Sequence, residues 1–205
     1  MYFNDEKAAG WDTPERTRRA AALVEEIRKE FGDARGKTAL EIGSGTGLLT
    51  FGLCPYFMEI CTADTSAAMQ KALGEKLAGA GIKNVRPIEV KDLEGEAYRG
   101  KFDLIYSSMV FHHIRDIAGE LALVTPLLKK GGTFLLIDLD AEDGRFHRED
   151  KGFDGYNGFD RAWMAAELER AGLREVSVRT AFTGVKRLTD GDVPYSLFLM
   201  RGEKP

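Results

Sequence analysis

Apolar residues recur along this chain in two rhythms, and the rhythms take turns. Thr13 can cap a helix that opens on Pro14, and Leu23, Val24, Ile27 and Phe31 follow at helical spacing until Gly32 stops it. Ala39, Leu40 and Ile42 make a short buried strand, and a helix from about Thr46 to Leu53 stops near Pro55. FMEICTAD, residues 57–64, reads as a second strand; residues 67–80 form a helix closed by Gly79 and Gly81; VRPIEVKD, residues 85–92, is a third strand. KFDLIYSSMVFHHI, residues 101–114, is a fourth strand running into a loop, with Leu104 and Ile105 in the core. Leu121 and Val124 lie on a helix that Pro126 breaks, and LKKGGTFLLIDLD, residues 128–140, is a turn and a fifth strand. Asp160 then caps a helix carrying Met164 and Leu168, which Gly172 ends. VSVRTAF and YSLFLMRG read as two strands joined by a polar hairpin containing Thr189 to Pro194. Two stretches have no period: residues 1–12, where Tyr2, Phe3 and Trp11 are many aromatics for a free tail, and the polar residues 139–158. Alternating strands and helices of this kind predict an α/β fold with a doubly wound sheet.

The stretch TALEIGSGTGLLTF, residues 38–51, organises the rest. Gly43, Gly45 and Gly47 permit positive φ and let a ligand approach backbone that carries no Cβ. Such a turn is expected to feed free N–H groups at a helix start toward a polar ligand, in the crevice where doubly wound sheets bind. A dinucleotide fingerprint, G-x-G-x-x-G, requires glycine at position 48, which is Leu48. The spacing is G-x-G-x-G instead, with an acid, Glu41, two residues ahead of it.

An acid placed so before G-x-G-x-G resembles the first motif of the class I S-adenosylmethionine-dependent methyltransferases, and later stretches resemble that family in the right order. The resemblance implies a Rossmann-like methyltransferase fold: a seven-stranded, mostly parallel sheet with an antiparallel last strand. It implies S-adenosylmethionine as cofactor, held by Glu41, Gly43, Ser44, Gly45 and Gly47. Asp64, with Thr65, would meet the ribose, Asp92 and Leu93 the adenine, and Ser107, at the end of the fourth strand, would also bind the cofactor. It also places the leading helix over the open end of the sheet. Each assignment has a plainer rival: Asp64 could cap the next helix, for which Thr65 and Ser66 suit equally, Asp92 is by itself a loop acid, and the leading helix could only complete the core.

Composition narrows the function without changing the fold. With 205 residues the chain suits one domain, expected over 1–205, with residues 1–32 as an N-terminal cap and 139–158 as a lid-like insertion. Lys plus Arg number 29 against 33 Asp plus Glu, a net charge of −4 with no basic block, so a nucleic-acid partner is not favoured. The two cysteines, Cys54 and Cys61, fit neither a disulfide framework nor a zinc spacing. The polar start and the lack of a long apolar run argue against a signal peptide or membrane span and for the cytoplasm. Oligomeric state is not legible.

Methyl transfer from a sulfonium is an in-line displacement, in which orientation alone can contribute roughly 7–11 kcal/mol. No catalytic residue is therefore strictly required. If a base assists, the choices are His112 and His113 after the fourth strand and His147 in the lid-like stretch, with His112 the named candidate; capping or packing is the rival reading. Three histidines could also ligate a metal, but no spacing supports one, and none is expected. Ser107-Ser108-Met109-Val110 lacks the Pro-Pro-Tyr, Pro-Phe and Pro-Cys signatures of methylases acting on amide or exocyclic nitrogens or on cytosine C5. The expected acceptor is a small molecule bordered by Trp11, His112, His147 and Tyr156, with Phe146 among the aromatic walls. The alternatives are a cofactor-binding module without catalysis and a nicotinamide-dependent oxidoreductase.

Overall fold

In the computed structural model, which describes residues 5–205, seven strands form one sheet in the order β3-β2-β1-β4-β5-β7-β6. They are β1 Thr38–Ile42, β2 Glu59–Ala63, β3 Val85–Ile88, β4 Phe102–Ser108, β5 Leu128–Leu139, β6 Arg174–Leu188 and β7 Gly191–Glu203. The pairs among β1 to β5 are parallel, whereas β7 lies antiparallel to both β5 and β6. The expected seven-stranded sheet with an antiparallel last strand is therefore the one observed.

Six α-helices cover the two faces: α1 Asp5–Ala9, α2 Pro14–Phe31, α3 Leu48–Leu53, α4 Ala67–Ala80, α5 Ile117–Val124 and α6 Arg161–Arg170. Successive strand residues point to opposite faces, so a strand buried on both sides is apolar throughout. Leu104 of β4 and Leu135 of β5 pack with Leu23 and Ile27 of α2, Leu53 of α3 and Leu73 of α4. Their chain neighbours Ile105 and Leu136 pack on the other face with Leu121 of α5 and Leu168 of α6.

The helix ends follow their sequence signals. The Thr13 hydroxyl accepts the Arg16 N–H at 3.2 Å at the start of α2, and Gly32 closes that helix at φ 80°. The Asp160 carboxylate accepts the Trp163 N–H at 2.8 Å at the start of α6. Three local readings are corrected. Residues 5–9 form a helical turn despite the absence of period, while Tyr2 and Phe3 lie outside the described residues. The third helix begins at Leu48 rather than near Thr46, because Gly47 is left-handed at φ 86°. The hairpin between the last strands is only Thr189 and Asp190, so residues 191–194 belong to β7; β6 absorbs a register shift between Arg174 and Ser177, where Glu175 has φ 52°. Among the described residues no helix is long and apolar enough to cross a membrane.

Candidate active site

The C-terminal ends of β1, β2 and β4 open into a cavity of about 440 Å³. Its floor is the glycine turn after β1, whose three glycines have φ of 70°, 53° and 86° at Gly43, Gly45 and Gly47. The three serve different ends. A Cβ on Gly43 would meet Val110 Cγ2 at 2.3 Å, and one on Gly47 would meet Leu73 Cδ1 at 2.4 Å, so both allow packing within the protein. Gly45 alone of the three has open space, with Trp11 Nε1 the nearest atom at 3.6 Å. Four N–H groups of the turn are engaged within the protein. The N–H groups of Gly43 and Ser44 go to the Ala63 carbonyl, that of Gly47 to the Ser44 carbonyl, and that of Gly45 to Asp64.

Asp64 follows β2 directly. One carboxylate oxygen accepts the Gly45 N–H at 2.8 Å and the other the Ser66 N–H at 2.8 Å. The cap of α4 is Ser66, whose hydroxyl accepts from Met69 N, so the capping role does not fall to Asp64. Burial raises the Asp64 pKa, and its two backbone hydrogen bonds oppose the rise. Glu41 is buried on the wall, where it accepts hydrogen bonds from the Thr50 hydroxyl and, at 2.9 Å, from the Tyr106 hydroxyl. Its burial pushes the pKa up to about 7, against those two bonds.

The leading segment covers the site. Trp11, Arg16, Arg19, Ala20 and Leu23 line the cavity, with the Arg16 guanidinium 3.9 Å above the Trp11 ring. This segment is tied to the floor: the Thr46 hydroxyl donates to Asp12 at 2.5 Å, and Lys76 Nζ reaches Asp12 and the Thr46 carbonyl, both at 2.7 Å. Residues of α2 thus contribute both to the cavity wall and to the core.

The predicted site residues divide. Glu41, Gly43, Ser44, Gly45, Asp64, Thr65, Leu93 and Trp11 line the cavity; Gly47 stands just beneath. Ser107 does not line it, because its buried hydroxyl donates to the Ile42 carbonyl at 2.9 Å and the wall passes to Ser108, Met109 and Val110. Asp92 is exposed in a 3-10 turn, while Val90 and Leu93 beside it face the cavity. His112 is buried, with its N–H and Nδ1 both on Asp138, so the wall residue is His113. His147, Tyr156 and Phe146 are also off the wall. Tyr156 donates its hydroxyl to the Arg115 carbonyl, and Phe146 packs edge-on to Tyr195 at 5.0 Å. Beyond Leu139, the end of β5, residues 140–158 carry no helix or strand apart from a single bridge of Asp140 with Phe159, and they are folded onto β7 and the histidine turn. Gly155 sits so close to the His112 carbonyl that a Cβ there would lie 2.0 Å from it.

Sequence reading missed Arg16, Arg19, Met69, Val90, Met109 and Glu120 on the wall. Met109 has φ 60°, a conformation that non-glycine residues rarely adopt and that strained sites retain. Burial raises the Glu120 carboxyl. Burial also lowers His113 to about 3, helped by His112 and His147. His147 falls to about 4 for the same first cause. Nothing in an isolated helical Glu or Met distinguishes these residues; for Ser108, the rule that the last strand residue faces the crevice was the available signal.

Comparison with known proteins matches residues 40–134, from within β1 to within β5, to a family described as a methyltransferase domain. A Schizosaccharomyces pombe methyltransferase is 31% identical over 124 residues, covering 57% of this chain and 44% of that protein. A methyltransferase of Geobacillus kaustophilus is 29% identical over 147 residues, covering 71% of this chain and 66% of the relative. The crystal structure of an S-adenosylmethionine-dependent methyltransferase from Aquifex aeolicus superposes with a TM-score of 0.71 at 22% identity, over 98% of each chain. The fold and the site define a nucleotide-crevice α/β protein with a capped glycine turn. Over the segment that builds the site, the chain is similar to S-adenosylmethionine-dependent methyltransferases.

The residues present fit the family's cofactor, S-adenosylmethionine. Gly45 leaves backbone open where a side chain would intrude, the buried Ser44 hydroxyl on the wall has no partner among the described residues, and Asp64 offers a carboxylate at the end of β2.

Proposed function

We propose that this protein transfers the methyl group of S-adenosylmethionine to a small-molecule acceptor. The observation that carries the reading is the capped cavity itself: about 440 Å³, with the glycine turn and Asp64 at one end and Trp11 and α2 across it. That volume lies within the roughly 300–1,000 Å³ of small-molecule sites. Bound there, the cofactor supplies an electrophilic methyl carbon: the acceptor atom forms the new bond to carbon as the carbon–sulfur bond breaks and S-adenosylhomocysteine leaves. Asp64 accepts hydrogen bonds from the ribose hydroxyls, and Arg16 pairs with the carboxylate of the methionine part. Glu41 faces the cationic groups, with Thr65, Val90 and Leu93 walling the base and Asp92 meeting the adenine amino group. Trp11 and Leu23 exclude water, which strengthens the electrostatics of a desolvated site. Glu120 takes the acceptor's proton where one must leave, since a carboxyl raised by burial is closer to the pH of use than His113, whose pKa is lowered too far for base work. Leu48 on the wall, where a dinucleotide turn carries glycine, argues against a nicotinamide enzyme. No nucleic acid or membrane enters this reading, and a cytoplasmic setting accords with it.

Calorimetric titration with S-adenosylhomocysteine and NAD is the first test, with binding of the former alone expected. Homocysteine release on incubating S-adenosylmethionine with a panel of small hydroxyl, amine, thiol and acidic compounds, coupled to a nucleosidase and hydrolase, then separates an enzyme from a binding module. Turnover only with proteins or RNA would overturn the small-molecule acceptor.

A further inference from the structure

His112, His113 and His147 come together although they lie on two loops far apart in sequence. One ring nitrogen from each falls within 4.8 Å of the other two. Their ring centroids are 4.1, 5.0 and 5.4 Å apart. A tetrahedral ion with metal–nitrogen bonds of about 2.0–2.1 Å places ligating nitrogens about 3.4 Å apart and imidazole centroids about 5 Å apart. The rings therefore stand at ligating separation already, and the nitrogens need to close by at most about 1.4 Å.

The surroundings point the same way. His112 and His147 are 1% and 8% exposed, and the Nε2 of each is buried without a hydrogen-bond partner among the described residues. Burying an unpaired polar atom is costly, and native structures rarely do so without a reason. The other nitrogen of each ring is held by a carboxylate: His112 Nδ1 lies 2.5 Å from Asp138 Oδ1, and His147 Nδ1 lies 2.8 Å from Asp150 Oδ2. Carboxylates on the far nitrogen are what orient ligating histidines and fix their tautomer. Phe153 stacks on His147 at 3.9 Å and 12°, and meets His113 edge-on, which walls the cluster from one side. Two carboxylates behind the rings also offset a divalent charge, with Lys186 on Asp150 at 3.2 Å as the opposing cation.

We propose that His112, His113 and His147 form a binding site for one divalent transition-metal ion, of which zinc is the best match. Imidazole donors suit zinc, copper, nickel and iron, and three protein nitrogens leave a fourth position open, as in catalytic rather than structural zinc sites. Because His113 also lines the cavity, the ion sits at the cavity's edge. There it would take an oxygen of the acceptor as its fourth ligand, which rests on the methyl-transfer reading; the binding of the ion does not.

The test is titration of the chelator-stripped protein with Zn²⁺ and Co²⁺, followed by calorimetry and by the visible absorption of cobalt. One ion per chain and the intense bands of tetrahedral Co²⁺ are expected. His147→Ala should weaken the ion by more than about 100-fold, and Asp150→Asn by roughly 10–100-fold, the usual cost of losing an outer-shell partner. S-adenosylhomocysteine titration of the same samples reports folding, since His147 and Asp150 are off the cavity wall. Wild-type protein that binds S-adenosylhomocysteine but takes up no ion would overturn the metal site and leave the methyltransferase reading standing. So would one-to-one binding that neither variant weakens.

Discussion

The carboxylate of Asp64 accepts the backbone N–H of Gly45 at 2.8 Å, so the acid after β2 and the open glycine of the turn after β1 are one unit. An acid poised for a ribose is thereby also a brace for the turn beneath it. Asp64→Ala removes the acceptor for two N–H groups and should cost about 1–3 kcal/mol of stability as well as cofactor affinity. Asp64→Asn keeps an acceptor for Gly45 and should lose mainly affinity. Thermal unfolding beside calorimetry with S-adenosylhomocysteine separates the two; an Asp64→Ala variant as stable as the parent would contradict the bracing role.

Gly45 and Gly47 predict opposite phenotypes from the same substitution. Gly47→Ala combines positive φ with a Cβ 2.4 Å from Leu73, a strain of about 1–2 kcal/mol plus overpacking of about 1–3 kcal/mol. Gly45→Ala carries the φ strain alone, so its melting point should fall less while its cofactor affinity falls more. Equal losses of stability would show that the floor is not divided in this way.

Glu41 carries the pH prediction. Its folded pKa is raised from 4.5 to about 7, so between those values the native state holds more protons than the unfolded state. Its stabilising contribution is complete below pH 4.5 and is lost as pH rises through 7, a change on the order of 1–3 kcal/mol. Glu41→Gln should flatten that slope in denaturant titrations at pH 5 and pH 8. A cationic ligand favours the carboxylate, so S-adenosylmethionine binding near pH 7 should release a proton. Binding heats should then differ between phosphate and Tris buffers, and Glu41→Gln should remove the difference.

Trp11 gives a direct optical readout. The chain has two tryptophans, and Trp163 lies on α6, off the cavity wall. S-adenosylhomocysteine should change tryptophan emission in the parent and in Trp163→Phe, and leave it unchanged in Trp11→Phe. Asp12→Ala, which frees Thr46 and Lys76, should raise the ligand's off-rate by roughly tenfold in stopped flow, since about 1–1.5 kcal/mol is a typical net hydrogen-bond contribution. An unchanged off-rate would mean that the Asp12 tie does not hold the cap closed.

The elements that were legible are those whose burial repeats locally. Leu104 and Ile105, adjacent and both apolar, can only be a strand buried on two faces, and Thr13-Pro14 is a helix start that needs no tertiary context. The glycine turn and Asp64 were legible because each follows a strand end in a fixed order. Ser107 and His112 give way on the wall to their neighbours Ser108 and His113: Ser107 turns inward within β4 onto the Ile42 carbonyl, and His112 is drawn onto Asp138 of β5, a contact that only tertiary packing sets. The histidine cluster was illegible for a different reason. His147 reaches the other two only because residues 139–158 fold onto the His112 carbonyl, a long-range contact that leaves no period in the sequence.

The place of β7 has a consequence for how the chain is made. Residues 191–203 pair with β5 on one side and β6 on the other, Leu135 opposite Arg201 and Val178 opposite Met200. On the ribosome β5 is synthesised long before its antiparallel neighbour, and β6 cannot join the sheet at all until that neighbour exists. During elongation, the apolar edge from Phe134 to Leu139 stands without its ladder partner, a template for pairing with another nascent chain. The last strand to be translated is thus the keystone of the sheet, and slow passage of residues 174–203 through synthesis should favour aggregation where the earlier βα units, each completed locally, should not.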